Sequence, residues 1–236
     1  MISLAHCRRV MHQVRRRAAR VAALSDGAML SESHRLQWEA RGGTPLKRLL
    51  PDVFALAVEA ATRELGMTPY PVQIMGGIAL FEGGIAEMQT GEGKTLTAVL
   101  PAALRAFAGK GCHVLTTNDY LADRDATLLR PVNERLGLTT GCIQQPLETA
   151  ERRAAYACDI TYGTASEIGF DFLRDRLRLG ASATSEARRE LFHRNAAEEA
   201  PVQRGQYFAL VDEADSILID ACAPPGAPSP RRLPDI

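Results

Sequence analysis

Ile85-Ala86-Glu87-Met88-Gln89-Thr90-Gly91-Glu92-Gly93-Lys94-Thr95 decides how this chain is read. A short apolar run, read as a strand, breaks into a glycine-bracketed turn. Lys-Thr follows, then a helix-forming run from Leu96 to Phe107. Strand, Gly-rich loop and helix in that order make the context of a phosphate-binding loop. Glycines let backbone N–H groups turn toward an anion, and the helix directs its positive end to the same place. Lys94 can reach the β- and γ-phosphates, and the Thr95 hydroxyl can hold Mg²⁺. The strict pattern wants glycine at position 88, where Met88 stands. A glycine-rich strand-to-helix turn of purely structural use is the competing reading.

Outward from this loop, composition sets the frame. The 236 residues fit one domain with appendages or two small ones. Hydrophobic residues make up 46% and charged residues 24%, ordinary for a soluble globular protein. The formal net charge of zero gives no argument for nucleic acid. Cys7, Cys112, Cys142, Cys158 and Cys222 show no C-x-x-C spacing and complete no zinc pattern. Such a scattered, odd set reads as reduced thiols of a cytosolic protein. No run approaches membrane-span length, and the N-terminus lacks a secretory pattern.

Ahead of the loop, residues 1–24 carry Arg8, Arg9, Arg15, Arg16, Arg17 and Arg20 without an acid. Apolar Leu4, Cys7, Met11, Val14, Ala18 and Val21 recur at helical spacing. This basic amphipathic helix can pack on the domain with a solvated arginine face, lie on an anionic membrane surface, or act as a targeting peptide. A short helical piece is expected around His34–Ala40, with Trp38 as a packing anchor. A helix from Pro51 or Asp52 runs to Leu65 and stops at Gly66. Another opens at Tyr70-Pro71-Val72-Gln73 and runs through Leu80. The Gln73 carboxamide could meet an adenine edge, though a surface glutamine is usually unremarkable.

Beyond the loop, strands are predicted over 112–117, 139–143, 158–162 and 207–211, the last as a central strand. Helices are predicted from Asn118-Asp119 to Leu136, from Glu148 to Tyr156 and from about Ser166 to Leu177, with a further helical piece over Glu186–Asn195. This alternation implies α/β class: a parallel sheet covered on both faces. The last apolar strand ends in Asp212-Glu213-Ala214-Asp215. Carboxylates at the carboxyl end of such a strand sit where ligands bind in open α/β sheets. Asp212 is suited to hold Mg²⁺ and Glu213 to orient and polarise an attacking water.

The chain resembles the N-terminal part of the SecA family of preprotein translocase ATPases. The matching runs are Pro71-Val72-Gln73, Ile85 to Thr95, Thr117-Asn118-Asp119-Tyr120-Leu121-Ala122 with Arg124-Asp125-Ala126, Tyr162-Gly163-Thr164 with Gly169-Phe170-Asp171-Phe172-Leu173-Arg174-Asp175, and Leu210-Val211-Asp212-Glu213 with Asp215 to Asp220. They cover most of residues 50–220. The resemblance implies a P-loop NTPase with a RecA-like, DEAD-like parallel sheet flanked by helices. It divides the chain into a basic helix and linker over 1–50, a partial nucleotide-binding domain over 51–220, and a proline-rich disordered tail over 221–236. It implies ATP and Mg²⁺ as cofactors. Gln73 would read adenine; Gly91, Glu92, Gly93, Lys94 and Thr95 would bind phosphate. Thr95 and Asp212 would hold Mg²⁺, and Lys94, Asp212 and Glu213 would serve hydrolysis. Implied partners are preproteins and their translocation channel, an anionic membrane surface and a second motor domain, with no nucleic acid. The implied place is cytoplasmic, peripheral at the inner membrane.

The resemblance fades at Ala221-Cys222-Ala223-Pro224-Pro225, where the family carries a Glu-Ala-Arg-Thr-Pro-like run. The second motor domain, with its arginine fingers, is then expected outside this sequence, and a finger is worth about 10³-fold or more in related motors. The expectation is therefore ATP binding with weak or no turnover alone, and an open sheet edge. A non-hydrolysing nucleotide-binding remnant or regulatory partner of a full motor is the alternative. Asp212-Glu213-Ala214-Asp215 also suggests a DEAD-box RNA helicase, but Thr117-Asn118-Asp119-Tyr120 and Tyr162-Gly163-Thr164 stand where RNA-contacting runs belong.

Overall fold

A computed structural model describes residues 3–89, 91–181 and 200–217. The first helix, α1 (Leu4–Val21), buries Cys7, Met11 and Val14 and leaves Arg8, Arg9, Arg15, Arg16 and Arg20 exposed. It packs on α3 (Leu46–Leu65) and α4 (Pro71–Phe81). Arg17 pairs with Asp52 at 2.6 Å.

Between them runs α2, a full helix over Asp26–Arg41, longer than the piece expected around His34–Ala40. Its start is capped by the Ser25 hydroxyl, which accepts from the Ala28 N–H at 3.3 Å. Polar Ser33 and Gln37 hide the inward face from a pattern search. Both are buried, and both donate to the Leu136 carbonyl, at 2.7 and 2.8 Å. Trp38, expected as a packing anchor, is 76% exposed: Gln37, one residue back, takes the inward position.

Helix α3 begins at Leu46, ahead of the expected Pro51 or Asp52, and carries Pro51 inside it. An interior proline costs about 3 kcal/mol. Burying Leu49 and Leu50 in the preceding turn offsets this by roughly 1.5–3 kcal/mol each. Gly66 closes the helix in the left-handed conformation at φ 67°.

A correction concerns Ile85–Met88, read as a strand. No strand is assigned there, and Ile85 is 93% exposed. The loop leads straight into α5 (Lys94–Ala106). The sheet then builds from β1 (Cys112–Thr116), β2 (Thr140–Cys142), β3 (Ile160–Thr164) and β4 (Ala209–Val211), in the order β2-β3-β1-β4, with every pair parallel. The crossovers are α6 (Asp119–Arg135), α7 (Thr149–Ala157) and α8 (Ala165–Ala181).

Alternation assigns the faces. Cys112, Val114, Ile160, Tyr162 and Leu210 join the main core with α1 to α6. On the other face, Leu115 lies against a smaller cluster of Ile143, Tyr156, Ile168 and Val202. The expected two-sided cover is present. Contrary to the sequence reading, β4 is an edge strand among the described residues, not a central one: Ala209 and Val211 are exposed, and only Leu210 is buried.

Two side-chain devices fix the elements around the sheet. The Arg105 guanidinium lies 4.5 Å from the ring centroids of both Phe81 and Phe208, and donates to the Phe81 carbonyl at 2.7 Å. It ties α5 to the residue just before β4. Buried Arg152 pairs with Asp171 and Glu167, each at 2.8 Å, and donates to the carbonyls of Gln144, Gln145 and Leu147. Asp171 also accepts from the Tyr156 hydroxyl, and Asp175 from the N–H groups of Val202 and Gln203. The Gly169–Asp175 run thus clamps α7, α8 and the return to β4. Glu186–Asn195, Cys222 and the 221–236 tail lie outside the described residues.

Candidate functional site

Gly91 and Gly93 both take positive φ, 89° and 79°, and bend the loop onto the first turn of α5. At Gly93 there is a second constraint: a Cβ would overlap Nε2 of Gln73. Gln73 is buried near the start of α4 and braces the loop. Its Nε2 donates to the Glu92 carbonyl at 2.7 Å, and its Oε1 accepts from the Tyr70 N–H at 2.8 Å. Each group keeps one further hydrogen-bonding position. The Glu92 carboxylate accepts from the Gln89 N–H at 2.8 Å, closing the loop from its other side.

Lys94 and Thr95 open α5, half-buried, where unpaired N–H groups and the helix dipole favour an anion. Among the described residues Lys94 forms no ion pair within 4.0 Å, which leaves its charge for a ligand.

Asp212 follows β4 directly. Its N–H donates to the Leu115 carbonyl at 2.9 Å, extending the β1–β4 ladder by one bond. Burial raises the Asp212 carboxyl above the usual aspartate range. The Glu213 N–H, 2.9 Å from Oδ1, opposes this; the Glu213 and Asp125 charges add to it, and the Lys94 charge lowers it. The Lys94 charge is the weakest of these influences on Asp212. Glu213 has φ 53°, the one non-glycine residue with positive φ among those described. That conformation costs an L residue about 1–2 kcal/mol. Its side chain is tied to the strand next door: the Thr117 hydroxyl donates to Glu213 Oε2 at 3.0 Å.

The donor set fits a magnesium ion carried by a nucleotide. Crowded carboxylates gain from a divalent cation, and Thr95 can supply a hydroxyl. Among the described residues no three His, Cys, Asp or Glu side chains stand together as a protein-only cage. Mg²⁺ on a triphosphate does not need one, since it uses one or two protein oxygens plus phosphate and water. A cavity of about 280 Å³, lined by Glu148, Arg152, Asp171 and Arg174, shares no residue with the loop or the acidic pair.

Sequence reasoning missed Thr117 and Asp125 as parts of the site. Thr117 directly follows β1 and Asp125 lies on α6, so the Thr117 hydroxyl reaches Glu213 and the Asp125 charge influences Asp212 only once β1 and β4 pair. Local sequence holds no signal for that pairing.

A glycine-bent loop on a helix N-terminus, with acids at the carboxyl end of a parallel strand, defines an α/β nucleotide-binding domain of RecA-like type. The chain belongs to the SecA family: the model of the SecA DEAD-like domain matches residues 2–227. Protein translocase subunit SecA of Alcanivorax borkumensis is 48% identical over 208 residues, covering 88% of this chain and 21% of the relative. The subunit of Oleidesulfovibrio alaskensis is 50% identical over 205 residues, covering 87% and 22%. Protein translocase subunit SecA 2 of Rhodopirellula baltica is 49% identical over 223 residues, covering 89% and 34%. The chain thus spans about a fifth to a third of the length of these relatives.

The loop geometry gives a test. Gly93→Ala adds a methyl group against Gln73 in a left-handed turn. It is expected to weaken triphosphate binding at least tenfold in calorimetry, whereas Gly83→Ala, in open space at φ 82°, should leave binding intact.

Proposed function

We propose that this chain is a nucleotide-binding motor-domain module of protein translocation that binds Mg·ATP. The geometry that supports the reading is the glycine-bent loop at the N-terminus of α5 together with the acids that directly follow β4 at the carboxyl edge of the parallel sheet. In this reading Gly91, Glu92, Gly93, Lys94 and Thr95 enclose the phosphates. Gln73 uses its remaining donor and acceptor on adenine while bracing the loop. Thr95 and Asp212 would hold Mg²⁺, whose charge would stabilise the phosphate oxygens, and Glu213 would take the proton of the attacking water.

Hydrolysis by this chain alone is proposed to be slow, with an arginine from a second motor domain accelerating it. Preproteins and the translocation channel are the proposed partners, as the translocase names of the relatives suggest. The test is calorimetry with Mg·ATP. The parent chain is expected to bind, and Lys94→Ala to lose at least tenfold in affinity. Added second motor domain from a relative should raise turnover. Binding without turnover under either condition favours the non-hydrolysing regulatory reading.

The exposed arginines of α1 support a second element: peripheral attachment to an anionic membrane from the cytoplasmic side. Among the described residues no helix is long and apolar enough to cross a membrane. Vesicles containing a third phosphatidylglycerol, taken as about one part in three, should retain the chain in flotation at low salt. Replacing Arg8, Arg9, Arg15 and Arg16 by Gln should release it. Equal retention of parent and variant would end the membrane proposal.

A further inference from the structure

We propose that Thr117 is a positioning residue for hydrolysis, aiming the Glu213 carboxylate from the corner that follows the neighbouring strand. This rests on the nucleotide reading above and adds to it a residue that the loop and the acidic pair do not include.

Three observations carry it. First, the Thr117 hydroxyl donates to Glu213 Oε2 at 3.0 Å, joining residues 96 positions apart in sequence. Second, Glu213 sits at φ 53°, so its side chain leaves the chain in a direction ordinary strand or helix backbone would not give. Third, the residues on either side of Thr117 are held. The Thr116 hydroxyl donates to the Asn118 carbonyl at 3.1 Å, and the Asn118 side chain caps α6 by accepting from the Leu121 N–H at 2.9 Å. The hydroxyl thus comes from a braced strand-to-helix corner and meets a carboxylate on a strained turn.

The chemical consequence follows from which oxygen is used. With Oε2 engaged, Oε1 is the oxygen left for water. In hydrolysis, the water oxygen bonds to the γ-phosphorus and the bond to the bridging oxygen of ADP breaks. The proton leaving the water goes to Oε1 while the Thr117 bond stays in place. Losing the hydroxyl frees the carboxylate to rotate without removing the base.

The test uses the full chain with Thr117→Val, which keeps the shape, and Thr117→Ser, which keeps the hydroxyl. Affinity for Mg·ATP should match the parent in both. Single-turnover cleavage of γ-labelled ATP, with protein in excess and followed for hours, should slow about tenfold in Thr117→Val and recover in Thr117→Ser. Independently of nucleotide, the shifts in Tm of Thr117→Val and Glu213→Ala should be non-additive in the double variant. Unchanged cleavage in Thr117→Val, no recovery in Thr117→Ser, additive shifts, or bound ATP that the parent never cleaves would each overturn the proposal. Failure of the parent to bind Mg·ATP would instead sink the nucleotide reading and this inference with it, and the shifts in Tm would still report whether the hydroxyl bond exists.

Discussion

The pairing of β4 with β1 is the constraint on which the site depends. It consists of three residue pairs, His113 with Ala209, Val114 with Leu210 and Leu115 with Val211, plus the bond from the Asp212 N–H to the Leu115 carbonyl. A slip of one residue would turn Leu210 out of the core and carry the acidic pair away from Thr117. So short a ladder is reinforced from outside. Arg105, on the helix that Lys94 begins, grips Phe208 immediately before β4. The glycine loop and the acidic turn are therefore fixed to one another through the helix, and not only through the sheet.

That arrangement explains which parts of the molecule were legible in sequence. The loop, its helix and the capped starts at Asn118 and Pro71 announce themselves because their causes are local: glycine φ, proline placement, a side chain capping its own helix. The order of strands and helices beyond residue 112 was legible for the same reason. What failed to show had tertiary causes. Helix α2 was hidden because Ser33 and Gln37 face inward to meet the Leu136 carbonyl, a partner about a hundred residues away. Trp38 reads as core by its composition and is solvent-facing by its angular position on that helix. Helix α3 outruns Pro51 because packing of Leu49 and Leu50 overrides local propensity.

The two misread strands have a common physical basis. Apolar residues suggest a strand at Ile85–Met88 and a central strand at Tyr207–Val211. A strand needs a partner on each side to be central. Among the described residues, β4 has one partner and the Ile85 segment has none. The exposure of Ala209, Val211 and Ile85 is the direct result. Such an edge presents unpaired backbone groups, a standing invitation to another strand. The Gly169–Asp175 run had been noted only for its resemblance. It is held by Arg152, Tyr156 and the residues 202–203, so its acids serve architecture.

The account's central claim is that Lys94 and Asp212 serve a single triphosphate–cation complex. Manganese substituted for magnesium, read by electron–nuclear double resonance with ATP present, tests it most directly. The account predicts phosphorus couplings in the parent chain, and a manganese signal that weakens together with nucleotide affinity in Asp212→Asn. Manganese that binds without phosphorus coupling, or an Asp212→Asn chain that holds Mn·ATP as the parent does, would contradict it.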